Sequence, residues 1–528
     1  MPRVLISDKL SSAAVEIFRN RGIDVDLNTG LVPAELRAII GDYDGLAIRS
    51  ATKVTRELLD AAPDLKVIGR AGIGVDNVDV KTATARGVVV MNTPNGNAIT
   101  TAEHAIAMMF ALARQIPEAT TSTRAGKWEK NRFMGVELTG KTLGLIGCGN
   151  IGSIVADRAH GLRMRVVAYD PYLTEARALA LGVEKVELDA LLARADIVTL
   201  HTPLTDATRN ILSAGSIARL KRGVRIVNCA RGGLIDEAAL AEALRTGHVA
   251  GAALDVFETE PAIDSPLFAL DNVVCTPHLG AATAEAQENV ALQVAEQMSD
   301  FLLTGAVSNA INMPSVSAED APRLKPYMEL CRLLGTFAGQ QTLAQDGVLR
   351  RVMIEFEGLA APLNHRPLTA ATLAGLLTPV MANVNMVNAP VVARERGVDV
   401  SEVVHDRPSE YQTLVRVTVE TDRGNRTVAG TLFAGSRPRL VEIKGIKVEA
   451  DFGRHMLYVT NQDKPGFIGR FGATLAEAGI NIATFHLGRA AAGGDAICLV
   501  SLDEPVPEDV LAAVRKLPLV VQATPLAF

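Results

Sequence analysis

Four polar residues stand just past apolar runs in the middle of the chain. Arg231 follows VRIVNCA, Asp255 follows AGAAL, Glu260 precedes Pro261, and His278 follows VVCTP. In an open α/β sheet the ligand lies beyond the carboxyl ends of the strands, so these are the side chains that would meet it. Imidazole accepts a proton near neutral pH and returns it in the reverse direction, which makes His278 the candidate general acid/base. Glu260 can orient that ring and stabilise its protonated form, and Arg231 can hold a carboxylate through two hydrogen bonds and polarise the neighbouring oxygen. Taken singly, the histidine reads as a core or capping residue, the glutamate as a loop carboxylate and the arginine as a phosphate contact. Together, at successive strand ends, they fit hydride transfer from an alcohol to a nicotinamide, which needs a base for the hydroxyl proton and a cation for the substrate's charge.

A site for the nicotinamide cofactor lies upstream. Residues 141–170, KTLGLIGCGNIGSIVADRAHGLRMRVVAYD, read as strand, tight glycine turn, helix and a second strand ending in an acid. Gly147 permits the turn, Gly149 lets the backbone approach a pyrophosphate, and Gly152 lets the helix pack closely on its strand, with the helix N-terminus facing the phosphates. Asp170 can bind both hydroxyls of an adenosine ribose and repels a 2′-phosphate, and no arginine follows it in Asp170-Pro171-Tyr172. NAD is therefore expected in preference to NADP.

The elements that must position these residues follow a βα alternation. RVLISD, GLAIRS, LKVIGRAG and VVVMNTP read as parallel strands of a first α/β domain. A helix from about Thr100 to Gln115 leads into the glycine turn, and six strands complete a doubly wound sheet over 97–283. The stretch from Ala282 to Leu303 reads as one helix that can return the chain to the first domain, giving a unit of 1–96 plus 284–312. NMPSVSAEDAPRLKP, from Asn312, reads as a linker into a separate α+β domain, 318–452, of helices followed by the strands TLVRVTVET, RTVAGTLF and RLVEIKGIKVEA. The remainder, 455–528, reads as βαββαβ, a ferredoxin-like arrangement whose first helix presents Phe467, Phe471, Leu475 and Ala478 on one face. A chain of 528 residues suits such a multidomain enzyme.

Composition narrows the function further. A net charge of −6 without a lysine or arginine block gives little support to a nucleic-acid or membrane-surface role. The N-terminus enters a strand at once, and no run of 18 apolar residues occurs, so a cytoplasmic protein is expected. The five cysteines, Cys148, Cys229, Cys275, Cys331 and Cys498, lack CxxC spacing and read as buried free thiols with no metal site.

Six segments carry a family resemblance: GRAGIGVDNVD (69–79), NTPNGNAITTAEH (92–104), GKWEKNRFMGVELTGKTLGLIGCGNIG (126–152), VNCARGGLIDE (227–237), GAALDVFETEP (251–261) and TPHLGAATAEAQ (276–287). The chain resembles the long form of the D-3-phosphoglycerate dehydrogenase family, within the D-2-hydroxyacid dehydrogenases; the tail resembles an ACT domain and 318–452 the intervening domain. The resemblance implies a Rossmann-type NAD domain, a substrate domain and a regulatory tail, with Arg231, Glu260 and His278 as catalytic residues. It further implies that Asn150 and Ile151 contact the pyrophosphate, and that Thr202, Cys229, Asp255 and Gly280 complete the cofactor contacts, Asp255 near the carboxamide. Arg49, Ser50, Gly72, Ile73 and Gly74 would cradle the substrate. The Trp128 region would face a neighbouring subunit in a homodimer or homotetramer, and Asp463 and Asn481 would bind L-serine as a feedback effector. The implied reaction is oxidation of 3-phosphoglycerate to 3-phosphohydroxypyruvate, the first step of serine biosynthesis. Two alternatives stand beside it: another D-2-hydroxyacid dehydrogenase acting on glycerate, lactate or 2-hydroxyglutarate, and a binding module that senses NAD without turnover.

Overall fold

The segment RVLI forms β1 (Arg3–Ile6), and its Val4, Leu5 and Ile6 are all fully buried. Burial on both faces is what a parallel sheet sandwiched between helices requires. In the computed structural model, which describes residues 1–343, 348–405 and 410–528, β1 lies in a five-stranded parallel sheet. Its neighbours are β2 (Asp24–Leu27), β3 (Gly45–Ile48), β4 (Val67–Arg70) and β5 (Val89–Met91), in the order β2-β1-β3-β4-β5. The sequence reading lacks β2, whose DVDL alternates acid and apolar residues as an edge strand does.

The nucleotide-type sheet has seven strands where six are expected. They are β6 (Thr142–Ile146), β7 (Arg165–Tyr169), β8 (Glu184–Lys185), β9 (Ile197–Leu200), β10 (Val224–Asn228), β11 (Val249–Leu254) and β12 (Val273–Cys275), in the order β12-β11-β10-β9-β6-β7-β8. The additional strand, β8, is two charged residues on an edge, too short to carry a period. The order reverses between β6 and β9, and the crevice beyond their carboxyl ends is where a doubly wound sheet takes its ligand.

Two helices cross between these sheets. Ala98–Arg114 leads outward, and Ala284–Thr304 returns, burying Val290, Ala291, Val294 and Met298 in the same core as Val4, Ile6 and Val67. The segment after Asn312 is not a free linker. Asn312 accepts a hydrogen bond from Val90 N (2.9 Å) and donates to Val88 O (2.9 Å), Val307 bridges Val316, and the helix Ala321–Leu343 begins inside the segment and contains Pro326. Buried Leu324, Tyr327, Leu330 and Leu334 anchor that helix and outweigh the proline signal.

The third sheet has six strands: β13 (Leu349–Gly358), β14 (Asp399–His405), β15 (Thr413–Thr421), β16 (Gly424–Phe433), β17 (Arg437–Ile443) and β18 (Ile446–Asp451), in the order β14-β13-β15-β16-β17-β18. The first two, absent from the sequence reading, pair in parallel across the helix His365–Leu377. RLVEIKGIKVEA is a hairpin, β17 to β18, rather than one strand. The last sheet holds β19 (His455–Gln462), β20 (Ile482–Arg489), β21 (Asp495–Leu502) and β22 (Val520–Ala527) in the order β20-β21-β19-β22, with helices Phe467–Glu477 and Glu508–Arg515, the expected βαββαβ unit. Phe467, Phe471 and Leu475 are buried as expected; Ala478 is exposed at the helix end, and Ile480 fills that side of the core.

The third and fourth sheets share one hydrophobic core. Met456, Tyr458, Ile497, Leu499 and Leu526 pack with Leu330, Leu334, Phe337 and Ile443, and Phe337 meets Tyr458 edge to face at 5.8 Å. Four cysteines are buried thiols, but Cys275 is exposed on the edge strand β12 and departs from the expectation. Among the described residues no helix is long and apolar enough to cross a membrane.

Candidate active site

The glycine turn follows β6 directly. Gly147 has φ 91°, and a Cβ there would lie 2.6 Å from His201 O, while a Cβ on Gly152 would lie 2.2 Å from Gly147 O. Both positions exclude a side chain. Gly149 faces open space and precedes the helix Asn150–Gly161, whose first turn no side chain caps. Unpaired N–H groups at a helix start, beside a backbone that can be closely approached, suit a pyrophosphate. At the end of β7, Asp170 accepts hydrogen bonds from Cys148 N and Tyr172 N, both at 2.8 Å, which fix its carboxylate at the rim of the turn. Thr202, past β9, keeps a buried hydroxyl without a partner, and Asn150 reaches across to Asn95 Oδ1 at 3.1 Å. These residues fit a dinucleotide.

Asp255, fully buried after β11, holds the loop that carries His278. Its carboxylate accepts from Thr276 Oγ1 (2.6 Å), Leu279 N (2.7 Å) and Gly280 N (2.8 Å), and His104 Nε2 lies 3.3 Å away. Burial pushes the Asp255 carboxyl up, but the hydrogen bonds from His104 and Thr276 outweigh it and hold it below the usual carboxylate range. Cys229 sits against it, its thiol driven up by burial and by the Asp255 charge. His104, Cys229 and Asp255 bring three potential ligand atoms within 4.8 Å, but the Asp255 oxygens are engaged by donors and the cysteine is held as a thiol.

Within this loop His278 adopts φ 55°, and its Nδ1 meets Glu260 Oε2 at 2.6 Å. Glu260 Oε1 accepts from Phe257 N (3.1 Å), so both carboxylate oxygens are positioned. Burial raises the Glu260 carboxyl, and the hydrogen bonds from His278 and Phe257 N together with the His278 charge more than reverse this, leaving it lowered. The pairing leaves Nε2 as the ring nitrogen free to meet a substrate. His201, past β9, meets Thr199 Oγ1 through Nε2 at 2.9 Å, and burial holds it down at about 4.

Arg231 reaches from the β10 end into the first domain. Its Nε donates to Asp76 Oδ2 (2.9 Å) and its Nη1 to Ala230 O (2.7 Å), while Nη2 occupies the space a Cβ on Gly74 would need. The loop Gly72–Gly74 is pinned by Thr93 N to Gly72 O (3.0 Å) and Asn92 Nδ2 to Ile73 O (2.6 Å). Arg49 and Ser50 end the neighbouring β3 loop, held by Asp8, which accepts from Arg49 N (2.6 Å), and by Asn77, which donates to Arg49 O (2.6 Å). Arg231 and the 72–74 loop thus meet in one cleft, with Arg49 at its side.

Arg70 belongs there and is missing from the sequence reading. It ends β4 with its guanidinium over Gly72, its Nε is buried without a partner, and burial followed by the Arg231 charge lowers it to about 10. An unsatisfied cation facing two others marks an anion site. Its signal was available, for Arg70 follows the short apolar run VIG at a strand end just as Arg231 follows VRIVNCA. Asp76 and His104, also unforeseen, act on Arg231 and Asp255 across domain and helix contacts that no local pattern reveals.

The remaining expected residues lie elsewhere. Trp128 is 86% exposed. Asp463 is already paired with Arg489 Nη1 (2.9 Å) and Gly493 N (3.0 Å), and Asn481 with Asp503 (2.7 Å). The helix after Gly466 has no side-chain cap.

Comparison with known proteins covers nearly the whole chain. Family models match at residues 106–280, described as the NAD binding domain of D-isomer specific 2-hydroxyacid dehydrogenase, at 323–444, the D-3-phosphoglycerate dehydrogenase intervening domain, and at 455–519, the ACT domain. The D-3-phosphoglycerate dehydrogenase of Bacillus subtilis is 43% identical over 521 residues, 98% of each chain. That of Synechocystis is 42% identical over 518 residues, 98% of this chain and 93% of the relative. Among solved structures, D-lactate dehydrogenase from Aquifex aeolicus, complexed with NAD and lactic acid, is 27% identical with a TM-score of 0.53, covering 59% of this chain and all of the other. A Thermus thermophilus protein is 38% identical with a TM-score of 0.54, covering 58% of this chain and 99% of its own.

Proposed function

The chain belongs to the D-3-phosphoglycerate dehydrogenase family, and from that premise we propose that it oxidises 3-phospho-D-glycerate to 3-phosphohydroxypyruvate with NAD, opening serine biosynthesis. The observation that carries the choice of substrate is the set of three arginines, Arg49, Arg70 and Arg231, around the glycine loop beside the His278–Glu260 pair. A substrate with a carboxylate and a phosphate supplies negative groups beyond Asp76, the carboxylate that pairs with Arg231.

Arg231 Nη2 takes the substrate carboxylate and draws charge from the C2 oxygen, while Arg49 and Arg70 face the phosphate. His278 Nε2 accepts the C2 hydroxyl proton as the C2 hydrogen leaves with its electron pair. Bound NAD supplies the acceptor for that hydride. Glu260 fixes the ring through Nδ1 and balances the imidazolium that forms. Asp255 holds the loop that presents His278. Asp170 takes the ribose hydroxyls and disfavours a 2′-phosphate, so Asp170→Ala is expected to weaken NAD and narrow its advantage over NADP. An unchanged ratio of kcat/KM for the two cofactors would assign that choice to another residue.

The tail is read as an effector domain for L-serine, with the serine carboxylate at the uncapped helix start after Gly466 and its ammonium near Asp463 and Asn481. Because Asp463 is neutralised by Arg489, serine binding must reorganise that pair. Exposed Trp128 supports a homodimer or homotetramer, and the absence of a spanning helix among the described residues agrees with a cytoplasmic setting. The test is steady-state NADH absorbance with 3-phosphoglycerate, D-glycerate, D-lactate and 2-oxoglutarate, with and without serine. The highest kcat/KM belongs to 3-phosphoglycerate; equal use of the unphosphorylated acids would overturn the assignment, and NAD binding without any turnover would make the protein a sensor.

A further inference from the structure

Glu260 sits on a loop that has little of its own to hold it. The chain leaves β11 at Leu254, buries Phe257 and turns inward again at Leu267, and Phe257 meets Phe268 edge to face at 5.3 Å. Between these anchors no helix or strand forms, and Glu258, Thr259, Pro261, Ile263 and Asp264 are exposed. Among the described residues, the hydrogen bonds that tie 258–266 to the chain outside 257–268 go to His278 and to Glu237.

Glu237 opens the helix Glu237–Arg245, in the same short segment past β10 that carries Arg231. Its Oε1 accepts from Glu258 N at 2.7 Å and its Oε2 from Ser265 Oγ at 3.4 Å, so one carboxylate spans both limbs of the loop. Gly232 makes this approach possible. A Cβ there would lie 1.8 Å from Phe257 O and 2.7 Å from Glu258 N, so the Phe257–Glu258 peptide lies directly on the turn after Arg231. The preceding amide, Phe257 N, donates to Glu260 Oε1 (3.1 Å), and Glu260 Oε2 meets His278 Nδ1 (2.6 Å). Contact therefore runs from Glu237 through the 257–258 backbone to Glu260 and His278. Both donors to Glu237 are neutral, an amide and a hydroxyl, so the loop needs an acceptor at the right reach and not a charge.

We propose that Glu237 is a positioning residue for the acid/base pair: it anchors the loop at Glu258 and Ser265 and so fixes the angle at which Glu260 meets His278. The proposal rests on the reaction given above and adds to it a residue that acts only through Glu260. The bland alternative is an acid in the first turn of a helix, favourable to the N-terminal dipole and nothing more.

Two conservative variants separate these readings. Glu237→Asp keeps the charge at the helix start but falls a methylene short of Glu258 N. Glu237→Gln keeps the reach and an acceptor oxygen without the charge, and its amide nitrogen can donate to Ser265 Oγ. With 3-phosphoglycerate and NAD, Glu237→Asp is expected to lower kcat about tenfold at unchanged KM, because a small misplacement of a reacting group is costly, while Glu237→Gln stays near the wild type. In a Glu260→Ala background, Glu237→Asp is expected to cost nothing further, since its effect runs through Glu260. Amide exchange followed by mass spectrometry reads the loop without turnover: peptides spanning 257–265 exchange faster in Glu237→Asp and as in the wild type in Glu237→Gln. Wild-type kcat or wild-type exchange in Glu237→Asp, a loss in Glu237→Gln as large as in Glu237→Asp, or losses that add to that of Glu260→Ala would overturn the proposal. A wild-type protein that makes no NADH would overturn the reaction instead, and the exchange rates then decide alone whether Glu237 holds the loop.

Discussion

At the scale of single residues, the proposed reaction divides the site into groups that react and groups that hold them. His278→Ala removes the proton acceptor and is expected to lower kcat by roughly 10²-fold or more with little change in NAD affinity; wild-type turnover in steady-state assays would remove His278 from the mechanism. Asp255 is of the second kind. Its carboxyl, lowered from 3.8 by its hydrogen bonds despite burial, stabilises the fold fully above the unfolded value and loses that contribution as pH falls through the folded one. Asp255→Asn places an amide against the Leu279 and Gly280 N–H groups, at a cost of about 2 kcal/mol near neutral pH. Urea midpoints are expected to differ most at neutral pH and to converge as the pH drops below 3.8. A constant gap across that window would mean the carboxylate is not the source.

At the scale of elements, the proposed site depends on backbone positions that admit no side chain. Gly152 lets its helix begin against the turn, so Gly152→Val drives atoms into Gly147 O, where a Cβ would already be 2.2 Å away. The overpacking is expected to cost about 1–3 kcal/mol and to move the pyrophosphate cradle. NAD affinity by calorimetry would fall while the third and fourth sheets keep their thermal transition; retained affinity would show that the turn yields. The same logic runs through Arg231, which depends on Gly74 for space and on Asp76 for its angle, so two strand ends from two sheets set one guanidinium.

Across the whole molecule, packing argues against treating the tail as a detachable module. Ending the chain near Asp451 removes Met456, Tyr458, Ile497, Leu499 and Leu526 from a core shared with Leu330 and Phe337. At roughly 2 kcal/mol per large apolar side chain this is about 10 kcal/mol, comparable to the stability of a typical domain. That truncation is expected to aggregate or lose its upper thermal transition. Ending the chain near Asn312 instead keeps both parallel sheets and the returning helix, a span like that of solved relatives matching 58–59% of this chain over 99–100% of their own length. This shorter protein is expected to produce NADH and to ignore serine. A soluble, fully stable 1–451 protein would contradict the shared core. The third unit also touches the first: Asn385 donates to Gly87 O (2.9 Å) and Val387 joins the core of the first sheet.

The sequence by itself determined the parts whose chemistry is local. A glycine turn, an acid at a strand end, and polar residues after apolar runs are dictated by φ, by close approach and by strand polarity, so the turn from Gly147 to Gly152, the strand-end positions of Arg231, Glu260 and His278 that the proposed reaction uses, and the βαββαβ tail were legible along the chain. What tertiary structure decided depends on partners distant in the chain. The edge strands β2 and β8 and the parallel pair β13–β14 carry charge that hides their period, and only pairing identifies them. Burial of Leu324 and Leu330 overrode the linker composition around Pro326. Arg70 became part of the site only because folding brought it beside Arg231, and Glu237 reaches the Glu258 amide only because β10 and β11 lie side by side. Burial and charge proximity are properties of the packed chain, and no window along the sequence contains them.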